Sequence, residues 1–156
     1  MIQRIQSIYL LGSILVCVLI YFLPLGYINS DTLIKYSVCG FYNVESGNMV
    51  QFNWLLSSIL SVSIFLQLIG VFLYKNRRRQ AMLVQISLIT ILLFIVLALM
   101  YQDISALIQE SSSFLGEEIS FTWNIILIGI SWILTYLAMK AIKKDEALIR
   151  SADRMR

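Results

Sequence analysis

The chain has 156 residues, of which 59% are hydrophobic and 13% charged, and its twelve basic and nine acidic side chains leave a net charge of +3. A soluble domain carries roughly 25% charged residues, and one this small cannot hide so much apolar surface in its own core, so a water-soluble globule is excluded. Histidine is absent, which removes the commonest metal ligand and general base.

Residues 5–23 are the first stretch without charge. A membrane-spanning helix needs ~20 mostly apolar residues, within a range of roughly 17–25. Pro24 ends this span because it brings no amide proton to a helix. The run exceeds the roughly 7–15 apolar residues of a signal peptide and no small-x-small cleavage pattern follows it, so an uncleaved anchor is expected. Ile2 in place of glycine and the lack of a carboxy-terminal prenylation cysteine give no lipidation signal.

Residues 24–53 form a long outer connection rich in β-branched and aromatic side chains. Ser46, Gly47 and Asn48 make a turn signal within it, which predicts a short β-hairpin. A lone hairpin is marginal in water, so this one should pack on the helices or pair with another strand. Residues 54–74 and 81–102 give the second and third spans. The turn between them, 75–80, is basic (Lys75, Arg77, Arg78, Arg79), which makes the pair an antiparallel helical hairpin. Residues 103–122 form an acidic, serine-rich second outer loop, with a short helix expected over 104–109. The fourth span is 123–139, with Lys140 reaching for the headgroups while its stem stays in lipid. The tail, 140–156, should continue as helix, since its residues tolerate that state. Glu146 and Arg150 stand four apart with the acid first, the better order. Leu148, Ala152 and Met155 share a face ringed by basic residues, which suits an anionic membrane surface.

Charge sets the expected orientation. Positive residues between spans are retained in the cytoplasm. Arg4, the turn and the tail hold eleven of the twelve basic residues, all on one side of an even number of spans; Lys35 alone lies on the other. Six of the nine acids, Asp31, Glu45, Asp103, Glu110, Glu117 and Glu118, join Lys35 there. Both termini are therefore expected in the cytoplasm. Tyr21, Tyr27, Trp54, Tyr101 and Trp123 mark the outer boundary and Tyr74 the inner one, as amphipathic rings favour headgroup depth. Trp132 falls near mid-membrane, where its indole proton needs a partner on a neighbouring helix. Cys17 lies in the first span and Cys39 in the outer loop, so the two should not pair, and neither forms a CxxC motif.

No charged residue falls inside the four spans. Such residues mark proton and ion paths, so a pump, a proton-coupled transporter or a carboxylate-based membrane enzyme is not expected. No P-loop, dinucleotide-binding glycine pattern, HExxH or GxSxG occurs, and no cofactor or metal is implied. Gln67 is the deepest strongly polar group and shares a helix face with Ser63 and Gly70. Asn124, Ser131, Thr135 and Ala138 line one narrow face of the last span. Small and hydroxylated residues let helices approach and bond across the gap, so these two stripes are expected to be packing surfaces; the competing reading is a polar solute groove. Gly12, Ser13, Ser57 and Ser61 are read as packing positions too.

The two ends, residues 1–10 (Met-Ile-Gln-Arg-Ile-Gln-Ser-Ile-Tyr-Leu) and 144–156 (Lys-Asp-Glu-Ala-Leu-Ile-Arg-Ser-Ala-Asp-Arg-Met-Arg), together with the Lys-Asn-Arg turn, resemble a family of small membrane proteins of Bacteroidota, the domain of unknown function 4293. The resemblance covers the whole chain in layout. It implies a four-span inner-membrane protein of a diderm bacterium and brings no assigned activity.

The fold expected is an all-α, four-helix antiparallel transmembrane bundle with a small extracytoplasmic β-hairpin. The function expected is a non-enzymatic structural or partner-binding component. Its basic face (Arg4, Arg77, Arg78, Arg79, Arg150, Arg154, Arg156) would meet a cytoplasmic or membrane protein and anionic lipid headgroups; nucleic acid is not an expected partner. The alternative is a facilitator or transporter subunit for a neutral or amphipathic solute, with Gln67, Asn124, Ser131 and Thr135 along its path.

Overall fold

A computed structural model describes residues 2–29, 33–73, 76–108 and 119–154, with side chains over 6–28, 33–73, 76–100 and 120–149. Within these residues the chain forms four helices, α1 (Ile2–Phe22), α2 (Trp54–Phe72), α3 (Arg77–Ile108) and α4 (Ile125–Arg154). Five strands stand between them: β1 (Gly26–Asn29), β2 (Leu33–Tyr36), β3 (Gly40–Asn43), β4 (Met49–Phe52) and β5 (Ile119–Phe121). Three helical segments are long and apolar enough to cross a membrane, Trp54–Phe72, Arg77–Met100 and Ile125–Ile149. The apolar part of α1 is Gln6–Phe22.

The helix limits follow local chemistry. In α1 the amide of Leu23 still reaches Leu19 O at 3.2 Å, and Pro24 then stops the ladder and biases Leu23 away from helix. The helices pack in a ring: α1 lies against α2 and α4, and α3 lies against α2 and α4. Their inner faces carry Ser13, Ser63, Gln67, Ser87, Ser131 and Thr135, all fully buried, while Leu15, Phe22, Phe65, Phe72, Ile89 and Ile133 are exposed. This is the reverse of a water-soluble protein.

Several expected boundaries move. The second helix ends at Phe72 rather than at 74. The third begins at Arg77, so the arginines assigned to the 75–80 turn form its first turn. It also runs on to Ile108, which absorbs the separate helix expected over 104–109. The fourth continues without a break from Ile125 to Arg154 through the expected tail.

The expected hairpin is present as β3–β4, and Gly47 takes the left-handed conformation its turn requires, with φ of 68°. Asn43 holds the turn. Its Oδ1 accepts the amides of Glu45 (2.9 Å) and Ser46 (3.3 Å), and its carbonyl accepts that of Gly47 (2.9 Å). The hairpin is not alone, however. It belongs to a five-stranded antiparallel sheet ordered β4-β3-β2-β1-β5. The added strands resolve the marginal stability of a single hairpin, and β5 comes from the second loop.

One face of the sheet caps the helices. Ile28, Ile34, Tyr36 and Phe41 are buried in one cluster with Cys17, Ile20, Leu56, Leu60, Ile91, Phe94, Ala98 and Ile128. Tyr36 stacks on Phe41 with centroids 5.1 Å apart and donates its hydroxyl to Ala98 O of α3 at 3.3 Å. A second cluster, Leu10, Ala81, Val84, Ala138 and Ile142, lies farther along the helices.

Candidate functional site

At mid-helix the predicted polar residues meet. Ser13 of α1 faces Ser131 and Thr135 of α4, with Ser13 Oγ 2.8 Å from Thr135 Oγ1 and 3.1 Å from Ser131 O. Thr135 Oγ1 donates to Ser131 O at 2.8 Å, and Gln67 Nε2 of α2 donates to Thr135 Oγ1 at 3.4 Å. One proton and two lone pairs per hydroxyl allow Thr135 to give to Ser131 and accept from both Ser13 and Gln67. Three helices are thereby joined at one side chain. Such interhelical bonds average ~0.6 kcal/mol each, with a maximum of about 1.7. Gln67 Oε1 and Ser63 Oγ are buried without a partner.

Asn124 does not join this group. It lies at the sheet end of the helices, half-buried, and its Nδ2 donates to Pro24 O at 3.1 Å. Trp132 departs from expectation. Its indole nitrogen is buried with no hydrogen-bond partner among the described residues, and its ring stacks on Tyr136 of the same helix, centroids 6.0 Å apart. The neighbouring helices' polar groups lie along the Ser131–Thr135 face, and Trp132 stands off that face.

The most polar contact was not foreseen. Asp145 is 4% exposed although it lies beyond the expected fourth span. Gln6 Nε2 of α1 donates to Asp145 Oδ2 at 2.6 Å and to Ala141 O at 3.2 Å. Arg77 Nη1, from the first turn of α3, stands 3.8 Å from the same carboxylate oxygen. The signal was available: continuing the stripe Ser131, Thr135, Ala138 at the same helical spacing gives Ile142 and then Asp145, all of them buried. Nearby, Gln80 Nε2 of α3 donates to Gly70 O of α2 at 3.0 Å.

Of the predicted basic face, Arg77 is therefore turned inward. Arg78 and Arg79 are exposed, with no carboxylate within 4 Å among the described residues. The side chains of Arg4, Arg150, Arg154 and Arg156 lie outside the described residues. Three arginines in the first turn of α3, which has no acid, oppose the helix dipole at roughly 0.3–1 kcal/mol each. Helix stability is not the reason they are there.

At the sheet end of the helices Tyr21 ties α1 to α2, its hydroxyl 2.7 Å from Ser57 O and 2.6 Å from Ser61 Oγ. Beside it a cleft of about 430 Å³ opens between α1 and the sheet, lined among others by Phe22, Lys35, Cys39, Tyr42 and Asn43. Cys17 and Cys39 are both free thiols.

Comparison with curated proteins gives no match. The family model described as a domain of unknown function (DUF4293) matches residues 2–155, essentially the whole chain, and the chain therefore belongs to that family.

Proposed function

We propose that this protein crosses the inner membrane of a bacterium four times, with both termini in the cytoplasm, and acts there as a non-enzymatic structural or partner-binding component. Its outward leucines, isoleucines and phenylalanines suit lipid, and its polar groups are spent between helices. The observation that carries the functional reading is the exposure of Arg78 and Arg79 at a helix start that disfavours them. Retention on the cytoplasmic side accounts for some of that charge. The run of basic residues through the end of α4 exceeds what orientation needs and supports contact with anionic headgroups and an acidic protein partner.

The test is crosslinking in native membranes with mass spectrometry of the products. Arg78, Arg79, Arg150, Arg154 and Arg156 are changed to glutamine; Arg77 is kept, because it serves Asp145. Insertion should be unchanged. A partner crosslinked to the start of α3 or the end of α4 should be reduced at least about tenfold, since each basic residue near an anionic surface contributes ~1 kcal/mol. Full retention of the partner by the neutralised protein would overturn the reading.

The unpartnered Gln67 Oε1 and Ser63 Oγ favour one alternative, a path for a neutral or amphipathic solute. Single cysteines at Gln67, Ser131 and Thr135, in a background lacking Cys17 and Cys39, decide it. All three positions are fully buried and are expected to resist a water-soluble thiol reagent. Reaction at all three would establish the path. Asn124, half-buried at the outer end, reacts under either reading and does not discriminate.

A further inference from the structure

Lys35 is the one basic residue that the charge pattern places on the outer side. On β2 the alternate residues Ile34 and Tyr36 are buried against the helices, so the pleat turns Lys35 to the opposite face. There its cross-strand neighbours are Tyr27 and Tyr42. Among the described residues no carboxylate lies within 4 Å of its amine.

The cleft that Lys35 lines, about 430 Å³, falls within the roughly 300–1,000 Å³ of small-ligand sites. The one charged residue of its lining is Lys35, whose ammonium is a donor. Ser37 is occupied with Gly40 O at 2.9 Å. Asn43 gives its Oδ1 to two backbone amides. Such a set suits an anion. The cleft is also lined by Phe22 at the end of α1. From Phe22 an exposed apolar stripe descends α1 through Val18, Leu15 and Leu11. Eleven residues of helix cover about 16 Å, close to one leaflet of a ~30 Å hydrocarbon core.

We infer that the cleft binds the phosphate headgroup of an anionic phospholipid from the outer leaflet, with Lys35 on the phosphate and an acyl chain along the α1 stripe. The inference rests on the orientation given under Proposed function. A free anion would use the cleft alone; a lipid also extends along the exposed apolar stripe that begins at Phe22 of the lining.

Cys39 lines the cleft and is half-exposed, whereas Cys17 is buried, so Cys39 serves as the reporter in a Cys17→Ala background. The full chain is placed in nanodiscs and the rate of Cys39 alkylation by a water-soluble maleimide is measured. Phosphatidylglycerol should slow it about fivefold or more relative to phosphatidylcholine alone, as for a site held at several times its Kd. Lys35→Gln should abolish the difference without changing the rate in phosphatidylcholine, and Lys35→Arg should preserve it. Equal rates in the two lipids, or protection that survives Lys35→Gln, would overturn the lipid site. Protection by inorganic phosphate in phosphatidylcholine nanodiscs would replace the lipid with a free anion. In cells whose outer membrane is permeabilised, a reagent that cannot cross the inner membrane should label Cys39. Failure there overturns the orientation and the outer-leaflet assignment together, while failure in nanodiscs, whose two faces are both open, overturns the lipid site alone.

Discussion

Asp145→Ala is expected to destabilise the protein by about 2 kcal/mol, because hydrogen bonds to charged groups contribute ~1.5–3 kcal/mol. The carboxylate holds α1 through Gln6 at 2.6 Å and α3 through Arg77 at 3.8 Å. The loss stops short of the roughly 3–5 kcal/mol of a broken, fully buried ion pair for two reasons. The Arg77 side chain is 28% exposed and can rehydrate. Gln6 keeps its bond to Ala141 O. Asp145→Asn retains an acceptor for Gln6 and should cost about half as much. Arg77→Gln should cost less than ~1 kcal/mol, as for pairs screened by solvent. Equilibrium unfolding in mixed micelles gives these values, and a Gln6→Ala/Asp145→Ala cycle should show a coupling of about 1 kcal/mol. If Arg77→Gln proved as damaging as Asp145→Ala, the ion pair and not the amide bond would be the main tie.

Gly40→Ala is expected to cost about 3 kcal/mol, the upper end of the range for overpacking, and to act on the sheet. A β-carbon there would overlap the carbonyl oxygen of Gln51 and crowd the Cα of Phe52. Both belong to the backbone of β4, so no side-chain rotation relieves the clash; β3 and β4 must part. Limited proteolysis should cut near 44–52 in the variant while the helices persist, since β4 is an edge strand. Two other glycines calibrate the result. Gly47→Ala meets open space but needs a positive φ, at roughly 1–2 kcal/mol. Gly129→Ala also meets open space and gains helix propensity of up to ~1 kcal/mol. A Gly40→Ala protein as resistant as Gly129→Ala would show that β3 and β4 do not approach so closely.

The helices were legible because their signal is local. A long run without charge is apolar whatever it packs against, and a proline ends α1 through its own backbone. The β3–β4 turn was legible for the same reason, since Gly47, within the Ser46–Asn48 signal, carries the required geometry itself; the part of Asn43 was not read. The packing stripe of α4 could be read from helical spacing alone.

The sheet beyond that hairpin could not. Strands of three or four residues have too little period to register, and β5 is strand only because β1 offers it hydrogen bonds from far along the chain. Asp145 looked like a solvated tail acid. Its burial depends on Gln6, 139 positions away, arriving on the neighbouring helix. Arg77 became an internal partner, apart from Arg78 and Arg79, only because the first turn of α3 points one of three adjacent side chains inward. Lys35 was visible as an isolated charge, but the cleft around it exists only where the end of α1 meets the sheet. Apolar runs, turn residues and charge asymmetry act over a few residues, so the sequence by itself determined the helices, the hairpin and the expected sidedness. Strand partners, the buried carboxylate and the cleft beside the sheet needed the tertiary structure, because each is a meeting of groups that no local propensity brings together.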